Sequence, residues 1–379
     1  MVLTFGALLL APRWQLQVLV PAAGENSFAV PESWNPDGSA LLTTAQGGSL
    51  IIRDTGDLLL RLTGGSGLVW IDDVTLLRLE RVDETTYRLS RLDTRDGRAE
   101  LIGEPIHWGH LISDGHGRVA HQREGEPTTA ITVIDPIAGR RLAELEGYDA
   151  LTWVDDGALI VRRPEPALRP YFLTPGALFY WRPGAAPRPL GAGLVDAGNV
   201  APLSLAGDAI ACICVSAPFP TQPPPDGPDR AIYRIPIDGS PPTRLTPWPT
   251  HGGGSPEIAW IDDGSLAVVG ADGLSRVPAT GGLLPIPGLT ATDLGFQTMF
   301  GRVFRVRGHI VAGLQDLVGG TETLLAVIDD RDRIRLRRWS VGALPVVVVD
   351  PAYERGAVGT EYRVPGDPSS WEISMLEFR

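Results

Sequence analysis

A turn motif that recurs along the chain, a second pair of β-like runs after each copy, and the lack of any amphipathic helical run of useful length predict an all-β chain. Four short strands per unit, with about 35 to 57 residues between turn positions, is the dimension of one blade of a β-propeller, a ring of four-stranded antiparallel sheets around a central channel. The 379 residues, 43% of them apolar, are enough to bury a large core, and 45 Gly and 34 Pro supply many turns.

The motif is clearest at Trp34–Gly38, Trp70–Val74, Trp153–Gly157 and Trp260–Gly264, where a tryptophan is followed by a turn and then an apolar run. Weaker copies at Leu111–Gly115, Leu203–Gly207 and Phe304–Gly308 keep the frame with another large apolar residue, which brings seven copies into register. Asp-Gly supplies the positive-φ turn that joins two strands of right-handed twist. The large side chain before it is expected to pack against the neighbouring unit. The second strand pair is plainest in Ala231–Ile237, the turn Asp238-Gly239 and Thr243–Thr246. It recurs as Ala130–Ile134 before Arg141–Leu145, and as Thr86–Leu92 before Ala99–Ile102.

Seven units account for residues 28–340, and the remainder is β-like at both ends. Pro345–Val349, Thr360–Val364 and Trp371–Phe378 supply three strands from residues 344–379, and Trp14–Val20 within residues 1–21 supplies the fourth. A blade shared by both termini removes the exposed edges that invite aggregation. The expectation is therefore one domain over residues 1–379 with eight blades; seven is the alternative if the irregular stretch 294–314 has been divided too finely.

The residues Trp34–Leu42, and Ile232–Ser240 running on to Arg244–Thr246, resemble the TolB-like or WD40-like propellers. These are similar in turn to the propeller domain of prolyl oligopeptidase and dipeptidyl peptidase IV relatives. The resemblance spans nearly the whole chain and implies architecture, because such propellers serve as binding modules, scaffolds and gating domains alike. The hydrolase domain that accompanies the propeller in the peptidase relatives has no counterpart within residues 1–379, so peptidase activity is not carried over.

Composition narrows the chemistry. Forty-five acidic against 33 basic side chains give a net charge of -12, which argues against nucleic acid as a partner. All 33 basic residues are arginine, so Schiff-base lysines, lysine bases and the P-loop lysine are excluded. No G-x-S-x-G or H-E-x-x-H occurs. Cys212 and Cys214 lie in an apolar strand-like run and are expected as buried free thiols on one face, without bridging geometry. No run approaches the ~18 to 20 apolar residues of a membrane-spanning helix. Residues 2–12 read as a strand, not a leader, so the chain is expected to be soluble, either cytoplasmic or exported with its start misplaced. A monomer without cofactor or metal is expected.

Within each blade the tight turns share one rim, and the long connections share the other. Two such connections, Arg163–Gly176 and Pro218–Asp229, are rich in proline and belong to adjacent units. With the crossovers His107–His110 and Pro247–Gly254 they are expected to bring Trp108, Tyr171, Phe172, Trp248, His107 and His251 to one end of the channel as a ligand- or partner-binding surface. The leading expectation is a non-catalytic module that binds a protein or small ligand there. The alternative is a hydrolase or lyase acting on a sugar or lactone, with His107, His110 and His251 as candidate groups. The pairs Asp72/Asp73, Asp155/Asp156 and Asp262/Asp263 recur at one turn position, which favours turn formation over acid–base chemistry. Arg333, Arg335 and Arg337 alternate with apolar residues, as a solvated outer strand requires.

Overall fold

The computed structural model describes residues 14–20, 29–45, 48–63, 66–107, 109–123, 129–154, 157–165, 175–216, 230–247, 257–261, 264–316, 322–329, 331, 333–340, 346–349, 354–362 and 370–378. Short apolar runs bounded by Asp, Gly and Pro become strands, as their composition dictates. β1 (Trp14–Val20) precedes a series of four-stranded units. The first unit is β2 (Ala29–Trp34), β3 (Ala40–Ala45), β4 (Gly48–Arg53) and β5 (Leu58–Thr63). The second is β6 (Ser66–Trp70), β7 (Thr75–Arg81), β8 (Thr86–Asp93) and β9 (Ala99–His107). The third is β10 (Gly109–Ser113), β11 (Val119–Arg123), β12 (Ala130–Ile134) and β13 (Arg141–Glu146). The fourth is β14 (Asp149–Trp153), β15 (Leu159–Pro164), β16 (Gly176–Trp181) and β17 (Arg188–Leu190). The fifth is β18 (Leu194–Leu203), β19 (Ala209–Ser216), β20 (Arg230–Pro236) and β21 (Thr243–Pro247). The sixth is β22 (Glu257–Trp260), β23 (Leu266–Gly270), β24 (Gly273–Val277) and β25 (Leu284–Thr290), followed by the short helix α1 (Ala291–Leu294). The seventh is β26 (Met299–Val306), β27 (His309–Asp316), β28 (Glu322–Ile328) and β29 (Ile334–Ser340). The last strands are β30 (Val346–Val349), β31 (Gly356–Tyr362) and β32 (Ser370–Phe378).

All strand pairing is antiparallel and follows chain order within each unit. The fourth and fifth units are joined through a single pair, Gly176 with Asp196. The termini close the series: β30, β31 and β32 form a sheet whose fourth strand is β1, with Trp14 opposite Phe378. Among the described residues no helix is long and apolar enough to cross a membrane.

Side-chain alternation along the second strand of each unit feeds two different cores. In β19, Ala209, Ala211 and Ile213 face the sixth unit and pack with Trp260, Leu266 and Val268. Their alternates Ile210, Cys212 and Cys214 face the fourth unit and pack with Ile160, Leu178 and Leu190. In β3, Leu41 packs on the closing sheet and Leu42 on the second unit. The apolar runs without polar alternation are thus explained, because a sheet covered on both faces needs apolar residues on both. The two cysteines do turn to one face. Their sulfurs touch and their Cα atoms are 5.5 Å apart, inside the range that permits a bridge, so the expectation of two separate thiols without bridging geometry is corrected.

The repeated tryptophans link the units. Trp34, Trp70 and Trp153 are buried, and each indole N–H donates to a main-chain carbonyl of the preceding unit: Val348 at 3.3 Å, Ser33 at 3.4 Å and Ile112 at 3.0 Å. A buried indole needs such an acceptor, and the innermost strand of the neighbour supplies it. The Trp34 bond ties the first unit to the closing sheet. The turn glycines Gly38, Gly115, Gly157, Gly207, Gly264 and Gly308 all have positive φ, as the hairpin reading requires. Turn carboxylates fix the loops from within: Asp37 accepts from the Ser39 N–H, Asp72 from Val74 and Asp114 from His116. The described aspartate pair therefore serves a turn; the pairs at 155/156 and 262/263 lie outside the described residues.

Candidate functional site

Of the six residues expected at the channel end, Trp108, Tyr171, Phe172, Trp248 and His251 lie outside the described residues, as do most of both proline-rich connections. His107 is described. It ends β9, the outer strand of the second unit, and lines a cleft of about 460 Å³ between the second and third units. His110 is on β10 and is not part of that cleft's lining.

Two departures from regular pairing frame the cleft. Tyr87 pairs with Ile106 while Leu89 pairs with Ile102, so the segment Gly103-Glu104-Pro105 bulges out of β9. In β13, Val133 pairs with Ala143 but Ile134 pairs with Arg141, which leaves Leu142 as an extra residue. That irregularity places Arg141 opposite Ile134 and leaves Leu142 exposed, while Glu144 pairs regularly with Thr132; Arg141, Glu144, Ile134 and Thr132 all line the cleft. The two segments meet at glycines. Gly103 and Gly139 have φ of 68° and 64°, and a Cβ on either would collide with the other's main chain. Only glycine permits both the positive φ and this approach.

The floor comes from the third unit. Val119, His121 and Arg123 alternate on one face of β11, and His121 stands directly between Leu111 on β10 and Thr132 on β12. Val119 packs in the apolar core between the units. His121 is only 3% exposed, yet its Nε2 has no hydrogen-bond partner. Burial pushes its pKa down to about 4 against a hydrogen bond to the His107 main chain that works the other way; Arg141, Arg123 and His107 add to the downward pull. The imidazole is therefore neutral at pH 7. Because Nε2 is unpartnered, the bond to the His107 main chain falls to Nδ1–H, which leaves Nε2 as a bare acceptor. Among the described residues neither Arg123 nor Arg141 is ion-paired, whereas Arg140 is held by Asp135 at 3.1 Å.

A second buried polar group in the same ring is ion-paired. Arg162 on β15 reaches Asp149 at 3.2 Å and the fully buried Asp196 at 3.4 Å, tying the fourth unit to the fifth. Among the described residues no group of three or more His, Cys, Asp or Glu side chains is placed to hold a metal ion.

The sequence pointed to His107 but passed over His121, Arg123 and Arg141. The usable clue was β11 itself: His121 and Arg123 alternate with Val119 on a face that an inner strand must bury.

No family model matches the chain, and no curated protein matches it. Solved structures do. A eukaryotic initiation factor has a TM-score of 0.54 and 11% identity, covering 95% of this chain and 89% of its own. The Dos1 propeller has a TM-score of 0.53 and 10% identity, covering 93% and 96%. A prolyl endopeptidase has a TM-score of 0.54 and 12% identity over 83% of this chain and 49% of its own length. At such identities the likeness concerns architecture alone, and with the antiparallel four-stranded sheets it establishes the fold of this chain as a β-propeller.

Proposed function

We propose that the chain is a non-catalytic β-propeller of eight blades that binds a small ligand in the cleft between the second and third units. The blade count is supported by eight buried apolar clusters among the described residues, each formed by two consecutive units. One of them lies between the fourth and fifth units, which pack face to face although one residue pair joins their sheets.

The observation that carries the binding reading is the cleft with an unpartnered buried imidazole in its wall. Its volume of about 460 Å³ falls within the range of small-molecule sites. A buried acceptor without a partner costs stability, about 1–3 kcal/mol, so an imidazole kept beside the cleft at that cost points to a role other than stability. Binding is favoured over the hydrolase or lyase alternative because, among the described residues, no hydrogen bond joins His107 or His121 to Glu104 or Glu144 of the same wall, so no acid–base pair is assembled there. His107 carries over from the sequence-derived set, and the ligand enters beside it.

A panel of neutral, cationic and anionic fragments, followed by amide chemical shifts, tests the reading. Perturbations are expected at residues 103–107, 121–123 and 132–144. Binders that map only to other surfaces, or none at millimolar concentration, would remove this cleft as the site.

A further inference from the structure

A groove of about 720 Å³ lies on the rim of tight turns and shares Ile134 alone with the lining of the cleft. The β2–β3, β6–β7 and β10–β11 turns build its inner part through Asp37, Asp72, Asp73 and Arg118. The β12–β13 turn and the start of β13 build its outer part through Pro136, Ile137 and Leu142. Turn tips are normally polar. Ile137, however, is 70% exposed, more than any other large apolar side chain described, and Leu142, the residue skipped in the β12–β13 pairing, is 56% exposed. Neither belongs to the apolar clusters on the two faces of the third unit. The buried Ile71 and Ile134 continue this surface inward, so the groove offers an apolar seat open to solvent.

The inner part sets the sign of the occupant. Asp37, Asp72 and Asp73 are exposed, and among the described residues none of them is ion-paired. The arginines around them are engaged by other carboxylates: Arg118 by Asp114, Arg355 by Asp54 and Arg95 by Asp93. Asp135, also in the lining, is balanced by Arg140. Asp37, Asp72 and Asp73 are thus left without a counter-charge, and the turn hydrogen bonds of Asp37 and Asp72 each occupy one oxygen. Their positions do not suit a metal ion, because among the described residues no three such side chains are grouped to hold one. A second copy of this chain is disfavoured by its own net charge of -12, and a small cation would leave Ile137 and Leu142 in water. A polypeptide with arginine or lysine toward the inner part and a large apolar side chain toward the outer part answers both halves of the groove.

We propose that this groove docks a segment of a partner protein that carries basic and large apolar side chains together. The probes are blocked dodecapeptides in which a pair of arginines and a pair of leucines take every relative spacing, each with one counterpart carrying glutamate for arginine and one carrying serine for leucine. In titrations at pH 7.5 at least one spacing is expected to bind about tenfold or more tighter than both counterparts, about 1.4 kcal/mol for each. It is expected to shift the amide resonances of residues 36–37, 72–73, 115–118 and 135–137 and to leave those of residues 103–107 unmoved. The triple variant Asp37→Asn, Asp72→Asn, Asp73→Asn keeps acceptors for the Ser39 and Val74 N–H groups, and is expected to abolish the preference over the glutamate counterpart while keeping that over the serine counterpart. Ile137→Ser with Leu142→Ser, both at exposed positions, is expected to do the reverse. The proposal is overturned if every spacing binds no better than one of its counterparts, if none binds at millimolar concentration, or if the shifts fall outside the groove. A wild-type dimer in sedimentation that the Ile137→Ser, Leu142→Ser variant loses would give the groove to a second copy instead. None of these outcomes bears on the cleft, whose fragment panel is read at residues 103–107 and 121–123.

Discussion

The junction between the sixth and seventh units and the junction between the second and third are built alike, yet one is dry and the other open. In both, the outer strand of the earlier unit bulges away from its neighbour: between Pro285 and Thr290 in β25, and between Ile102 and Ile106 in β9. In the sixth unit the bulge carries Ile286 and Leu289 into a core closed by α1 and by Ile310, Ala312 and Leu314 of β27. In the second unit the bulge is Gly103-Glu104-Pro105, and the facing strand presents Val119, His121 and Arg123. The same backbone device gives a core where its residues are apolar and a cleft where they are small or charged. A bulge is thus an opening that the sixth unit fills and the second leaves usable.

Breaking the dry junction should have the largest effect. Leu314 is fully buried between β26 and β28, so Leu314→Ala is expected to cost about 2–5 kcal/mol in denaturant-monitored unfolding, the range for a leucine removed from a packed core. A cost below 1 kcal/mol would mean that this junction is no better packed than the open one.

Acid should separate the two junctions next. His121 has a folded-state pKa near 4 against 6.5 when unfolded, so the unfolded chain binds more protons between those values and stability falls as pH drops through the window. The contribution is at most about 3 kcal/mol, present in full above pH 6.5 and gone below pH 4. Turn carboxylates act lower. Asp93, drawn down to about 2 by its hydrogen bonds to Arg95, loses its contribution only below its unfolded value of 3.8. A stability profile of the wild type between pH 7 and pH 4.5 is expected to slope downward, and His121→Leu is expected to flatten it. An unchanged slope in the variant would place the titrating group elsewhere.

What could be read from the sequence follows the same divide. The turns were legible because each must solve one backbone problem: Gly38, Gly157 and Gly264 need positive φ, and Asp37 and Asp72 must accept from a loop N–H. Ring closure was legible because β-like runs without partners stood at both ends, and β1 does pair with β32. The irregular stretch after residue 290 resolves into α1, whose capping box joins Thr290 and Asp293, and then the two-residue turn Arg307-Gly308, both residues at positive φ. The cleft was not legible. A strand ending at Ile102 reads the same whether the chain leaves the sheet or bulges and returns to it, and only the fold shows that β9 runs on to His107. Nor does spacing reveal that Leu142 is skipped, which is what puts Arg141 opposite Ile134.

The smallest expected effect is the most discriminating. If His121 were kept for stability, replacing it would cost as much as any buried residue, and the two junctions would differ only in composition. At pH 7 two terms oppose each other in His121→Leu. The variant loses the hydrogen bond to the His107 main chain, worth about 1 kcal/mol, and it removes an unpartnered buried acceptor that costs about 1–3 kcal/mol. Leucine is close to histidine in volume and adds apolar contact with Leu111, its neighbour on β10. The net change in unfolding free energy is expected to lie within about 1 kcal/mol of zero or to favour the variant, below the whole range for Leu314→Ala. Arg162 provides the contrast. It too is buried, but it is charged and Asp149 and Asp196 pair with it, and removing one member of such a set leaves a buried charge uncompensated. A loss of 3 kcal/mol or more in His121→Leu would put His121 in that structural class and take away the reason to regard the open junction as a site.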